Sequence, residues 1–122
     1  EFTKCEPYKR KLESVERLLD KKEDRKNIVK ELGNGIEAFS SVPTAIYSFL
    51  ANSSFTEALV YAVSLGGDTD TIGAMTGAIA GAWWGATEIS FAWQRRLENR
   101  ERTEALARDL WRIKEERGKE KS

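Results

Sequence analysis

A chain of 122 residues has room for one domain at most, and 20 Lys and Arg against 20 Asp and Glu leave no basic field to draw it to nucleic acid or a membrane surface. Histidine is absent, which removes Ser–His–Asp chemistry, His-ligated zinc and an unperturbed proton switch near neutral pH. Cys5 is the one cysteine, so no internal disulfide can form, and a reducing, intracellular compartment is expected. The first residue is Glu1 rather than Met and nothing near it resembles a signal peptide, so a piece of a longer protein is expected.

Residues 1–32 carry helical periodicity. Pro7 suits a first helical turn, and Leu12, Val15, Leu18 and Leu19 share one face, with Lys, Arg and Glu elsewhere. The charge-dense stretch DKKEDRKN at 20–27 reads as a solvated turn or helix break, its mixed signs arguing against a polymer-binding run. A short helix through Ile28, Val29 and Leu32 then stops at Gly33. Gly33-Asn34-Gly35 is a turn signal, since Asn and Gly tolerate left-handed backbone. Helix capping explains Gly33; a loop facing a ligand would explain all three residues.

Ser41 can cap the next helix, with Pro43 in its first turn. Residues 45–50 and 55–65 read as two core helices, the second opening on a capping box from Ser54 to Glu57. Leu59, Tyr61, Ala62 and Val63 make that second helix largely apolar, and it is expected to be well buried. Tyr47, Tyr61, Trp83 and Trp84 could stack on a base, although packing is the default use of aromatics at helical spacing.

The segment the rest is organised around is LGGDTDTIGAMTGAIAGAWWG at 65–85. Gly66 and Gly67 free the backbone to turn sharply, and Asp68, Thr69, Asp70 and Thr71 follow as a row of oxygen-bearing side chains. Gly73, Gly77, Gly81 and Gly85 then recur every four residues, which places them along one helix face where another backbone could approach. That helix is expected to be buried. At 73–86 the apolar run is shorter than the roughly 20 residues that cross hydrocarbon, so no membrane span is expected. Beyond it, 89–97 reads as a short helix with Trp93, and Thr103 can cap a last helix with Leu106, Leu110 and Ile113 on one face. The tail EERGKEKS is expected to fray.

Asp68, Asp70 and Thr71 offer two carboxylates and a hydroxyl, the hard oxygen donors that magnesium or calcium selects. The competing reading is that Asp68 or Asp70 simply caps the following helix, Asp being a preferred N-cap. One acid suffices for a cap, and here there are two. A calcium loop fits at Asp68, Asp70 and Gly73, but fails at Ile72 and at Ile79, where oxygen ligands belong. A D-x-D-x-T nucleophile would need Thr in place of Ile72, and a phosphate loop would need a Lys at the helix start.

The segment SLGGDTDTIGAMTGAIAGAWWG resembles the C-terminal metal-binding signature of the ADP-ribosylglycohydrolase family. LGNGIEAFSSVPTAIYSFL upstream is most similar to that family's ADP-ribosylhydrolase 3 branch, whose members remove ADP-ribose from serine and degrade poly(ADP-ribose). The resemblance spans 32–85 closely and the later helices loosely. It implies an all-α fold: the C-terminal helices of an orthogonal helical domain, incomplete here. It divides the chain into an amphipathic lead-in at 1–31 and the domain's C-terminal part at 32–122, with the metal motif at 66–71 and the glycine-spaced helix at 72–85.

By the same resemblance Asp68, Asp70 and Thr71 ligate a pair of Mg2+ ions, and Asn34, Ile36 and Ser41 line the adenosine end of the pocket. The remaining ligands of the family, a glutamate and a Thr-Asp-Asp cluster, have no counterpart in this sequence. The implied activity is magnesium-dependent hydrolysis of O-glycosidic ADP-ribose bonds in serine-ADP-ribose, poly(ADP-ribose) or O-acetyl-ADP-ribose, as in the DNA damage response. This chain would supply half of the metal site. The implied partner is ADP-ribose or an ADP-ribosylated protein, with no direct nucleic acid or membrane contact. A monomer in the nucleus, cytoplasm or mitochondrial matrix is implied as well. The alternative is an inactive helical fragment that binds or scaffolds.

Overall fold

The computed structural model describes residues 2–21 and 23–120, and among them all regular structure is helical. The helices are α1 (Phe2–Lys21), α2 (Arg25–Leu32), α3 (Ala38–Leu50), α4 (Phe55–Ser64), α5 (Thr69–Trp84), α6 (Phe91–Arg96) and α7 (Arg100–Glu120), with one 3-10 turn at Ala86–Glu88. Lys22, Lys121 and Ser122, from the two charged stretches, lie outside the described residues, as do the side chains of Cys5 and Pro7. No described helix is long and apolar enough to cross a membrane.

The chain divides into two compact units, Glu1–Ile89 and Ser90–Ser122. In the first, α3 is central and packs against α1, α2, α4 and α5. One core cluster joins Val15 and Leu18 of α1, Ile28 and Leu32 of α2 and Tyr47 of α3; a second joins Ala45, Ala62 and Ile72 from α3, α4 and α5. Val15, Leu18 and Ile28 thus share a core with Tyr47 of α3. Of the apolar face expected on α1, Leu12 remains 44% exposed. The expected break after α1 falls between Lys21 and Arg25, where the Asp24 carboxylate caps α2 by accepting from the Asn27 N–H at 2.8 Å.

Several boundaries differ from the sequence reading. α1 begins at Phe2, which puts Pro7 in its second turn. α3 begins at Ala38, so Ser41 and Pro43 lie inside it rather than at its start. The Glu37 carbonyl accepts from both the Ser40 and Ser41 N–H groups at 2.9 Å, opening the helix without a side-chain cap. At α4, Ser54 Oγ accepts from the Glu57 N–H at 3.1 Å as a capping box requires. The return contact shifts one residue upstream: Glu57 accepts from the Ser53 hydroxyl at 3.1 Å. Nor is α4 buried all round; Phe55, Ala58 and Ala62 are buried, whereas Val60 and Val63 are about half exposed.

The glycine helix is buried on one face only. A Cβ added at Gly73, Gly77 or Gly81 would meet Val63 at 3.3 Å, Leu59 at 3.7 Å and Phe55 at 3.8 Å, so the stripe runs antiparallel along α4. What approaches it is a row of α4 side chains, spaced four apart like the glycines, and not a bare backbone. On the other side Ala74, Ala78 and Ala82 are exposed, as is Trp83. Alanine tolerates water and favours helix, so an uncharged sequence there requires no burial. Gly85 is not part of the stripe: at φ 88° it ends the helix.

In the second unit α6 lies within the expected 89–97, and α7 starts before Thr103. The Asn99 carbonyl accepts the Thr103 N–H at 2.9 Å, which places Thr103 in the first turn and Asn99 at the cap. α7 carries no buried residue; Leu106 and Leu110 are 55% and 69% exposed. The charged tail continues as helix to Glu120, because Lys, Arg and Glu are good helix formers.

Candidate metal centre

Residue Leu65 closes α4, and Gly66 and Gly67, at φ 78° and 70°, reverse the chain into Asp68 at the N-cap position of α5. Two consecutive left-handed residues are accessible to glycine at little cost and to other residues at roughly 1–2 kcal/mol each. The Asp68 carbonyl accepts the Ile72 N–H at 3.0 Å, the first helical bond, yet its carboxylate makes no capping bond. Asp70 sits in the first turn and accepts the Thr71 N–H at 3.0 Å. Hydrogen bonding with the Asp68 carboxyl first, and with the Thr71 N–H second, draws the exposed Asp70 carboxyl below the usual carboxylate range. The two acids therefore stand side by side at the positive end of α5.

The bend is held from outside by the loop at 33–35. The Asn34 carbonyl accepts the Asp68 N–H at 2.8 Å, and Asn34 Nδ2 donates to the Leu65 carbonyl at 3.1 Å. A Cβ at Gly67 would lie 2.2 Å from the Asn34 oxygen, so only glycine fits there. The loop itself is pinned to the core. Thr44 Oγ1 donates to the Gly33 carbonyl at 2.6 Å, and Lys11 Nζ donates to the Leu32 carbonyl at 2.7 Å and to Ser40 Oγ at 3.1 Å. Burial lowers the Lys11 pKa, a shift that Glu37 opposes.

Of the three candidate substrate residues, Asn34 touches the Gly66–Gly67 bend, through Leu65 and Asp68. Ile36 is 80% exposed on the same connection, and Ser41 is buried in the first turn of α3, at 1% exposure. Sequence reasoning missed Lys11 and Thr44, whose roles depend on contacts 21 and 11 residues away along the chain. The aromatics pack. Tyr47 and Tyr61 meet at 6.1 Å between ring centres, and Trp83 and Trp84 meet Phe49 edge-on across a cleft of about 310 Å³.

The donor chemistry of Asp68, Asp70 and Thr71 fits a hard cation such as magnesium. Among the described residues no group of three or more Asp, Glu, His or Cys converges. The ADP-ribosylglycohydrolase family profile matches residues 1–120. The chain belongs to this family.

Relatives within and near it include the ADP-ribosylhydrolase ARH3 of Homo sapiens, 46% identical over 119 residues, which cover 88% of this chain and 33% of that protein. The ARH3 of Danio rerio is 39% identical, over 86% of this chain and 32% of that protein. The ADP-ribosylarginine hydrolase Tri1 of Serratia proteamaculans is 31% identical, over 74% and 24%. The chain spans about a third of the length of the curated ARH3 relatives it matches.

Proposed function

We propose that this chain forms one side of a binuclear magnesium centre in an enzyme that hydrolyses O-glycosidic ADP-ribose bonds. The observation that carries the reading is the Asp68–Asp70 pair, presented side by side by a double-glycine bend, with the Asp68 carboxylate uncommitted to capping. Magnesium, when bound, would orient the ribose hydroxyls and polarise oxygen near the anomeric carbon. The chain's own part is to hold and aim. The Gly66–Gly67 bend fixes where the Asp70 carboxylate lies relative to Asp68 and Thr71. Carboxylates close to the anomeric carbon would also help stabilise the oxocarbenium-like charge that builds as the leaving group departs from ribose.

The identity to relatives named ARH3 supports the ADP-ribosylhydrolase 3 type of substrate: serine-ADP-ribose, poly(ADP-ribose) or O-acetyl-ADP-ribose. The lack of a third converging acid among the described residues favours a second statement about the 122-residue polypeptide taken alone. It is catalytically inactive and acts at most as a binding or scaffold piece. The test uses the full-length protein carrying this segment and a serine-ADP-ribosylated peptide. Release of ADP-ribose should require Mg2+, stop with a chelator and be abolished by Asp70→Asn. Turnover that survives the chelator or the substitution refutes the proposal.

A further inference from the structure

The loop at 33–35 invites two simple explanations, a turn needing left-handed backbone or a contact to substrate. The first fails for Asn34: among the described residues the only non-glycine residue with positive φ is Asn99, so Asn34 adopts a backbone open to any residue. What the position uses is its amide. A helix leaves its last carbonyls and first N–H groups without internal partners. Asn34 satisfies one of each, donating from Nδ2 to the Leu65 carbonyl at the end of α4 and accepting from the Asp68 N–H at the start of α5. One residue thus bridges both sides of the double-glycine bend. Its anchorage is rigid, because the preceding Gly33 donates to the Val29 carbonyl at 2.8 Å and accepts from Thr44, a fully buried residue.

We infer that Asn34 is a positioning residue for the metal loop: its side-chain amide holds the Leu65–Asp68 bend in the shape that presents Asp68 and Asp70 to a divalent cation. This rests on the magnesium reading of those two acids. The backbone half of the clamp is available to any residue at 34, whereas the half that reaches Leu65 requires the carboxamide. Loss of the amide should loosen the bend without unfolding α3–α5, whose contacts lie elsewhere.

The experiment is a calorimetric Mg2+ titration of the full-length protein, wild type against Asn34→Ala, with Tm and the KM for an ADP-ribosylated peptide at saturating Mg2+ measured beside it. Groups that orient metal ligands commonly contribute about 10–100-fold in metal affinity. The expected result is an Mg2+ Kd raised at least about tenfold, with KM at saturating metal within about twofold of wild type and a Tm lowered by only a few degrees. An unchanged Mg2+ Kd overturns the inference, whether or not KM rises; a KM effect alone would make Asn34 a substrate contact. If Asn34→Ala does not fold, Asn34→Ser is titrated instead, since its shorter hydroxyl cannot span to Leu65, and the same two results decide. Wild-type protein that binds no Mg2+ sinks the metal reading itself. Wild type that binds, with Asp70→Asn failing to bind and Asn34→Ala binding normally, sinks only the role of Asn34.

Discussion

Gly66 and Gly67 are adjacent, both left-handed, and differ in what surrounds them, so their alanine substitutions separate backbone strain from the clamp. At Gly66, φ 78°, an added methyl would lie 3.9 Å from the nearest atom outside its chain neighbours, Asn34 Nδ2. Only the left-handed backbone is penalised, by roughly 1–2 kcal/mol. At Gly67, φ 70°, the methyl would lie 2.2 Å from the Asn34 carbonyl oxygen and 2.4 Å from its side-chain carbon. Asn34 must withdraw, and the two hydrogen bonds to Asp68 and Leu65 go with it, each contributing about 0.5–1.5 kcal/mol. Gly67→Ala should therefore cost roughly 2–5 kcal/mol in all, exceeding Gly66→Ala by about 1–3 kcal/mol. Urea unfolding followed by circular dichroism at 222 nm measures both, provided the m-values agree. Equal losses for the two variants would refute the clamp, whatever their absolute size.

The glycine stripe should respond to alanine in proportion to the space on α4. Gly77→Ala, with its methyl at 3.7 Å from Leu59, should be neutral or stabilising by up to about 1 kcal/mol, and Gly73→Ala, at 3.3 Å from Val63, should do worse; the same urea midpoints rank them. Burial, more than any other influence, pushes the Tyr61 hydroxyl up to about 12, above the roughly 10 of an unfolded tyrosine. The folded state then holds the proton more tightly, so this contribution is intact below about pH 10 and is lost as pH rises from about 10 to 12. Urea midpoints across that window should fall less steeply in Tyr61→Phe, and an equally steep fall would show that Tyr61 does not titrate late. Asp70→Asn should leave the far-ultraviolet spectrum unchanged, because Asp70 is exposed and the backbone groups its carboxyl bonds are local, those of Thr71 and of Asp70 itself.

Local signals carried well where one residue type has one physical use. The stop at Gly33, the break between Lys21 and Arg25, the Ser54 cap and the bend at Gly66 and Gly67 are all legible in sequence, since each rests on φ freedom or on a cap within three residues. The start of α3 was not, because Ser41 resembles a cap while the opening bonds come from the Glu37 carbonyl, which every residue possesses. Burial was overestimated on α4 and α5 for a related reason: Val60, Val63 and Ala78 have no charge to mark them as exposed. The acids of the candidate metal loop, Asp68 and Asp70, stand out by redundancy, two where a cap needs one. Asn34 was noticed for the wrong property, left-handed tolerance, because its partners Leu65 and Asp68 lie more than 30 residues away and no spacing rule links them.

The most direct test of the metal reading is a crystal of the full-length protein soaked in Mn2+, with the ion located by its anomalous signal. The account predicts a peak bonded to the Asp68 and Asp70 carboxylates at about 2.0–2.2 Å, with the Thr71 hydroxyl in the same coordination shell. A peak bonded elsewhere, with both carboxylates turned to solvent, would contradict it.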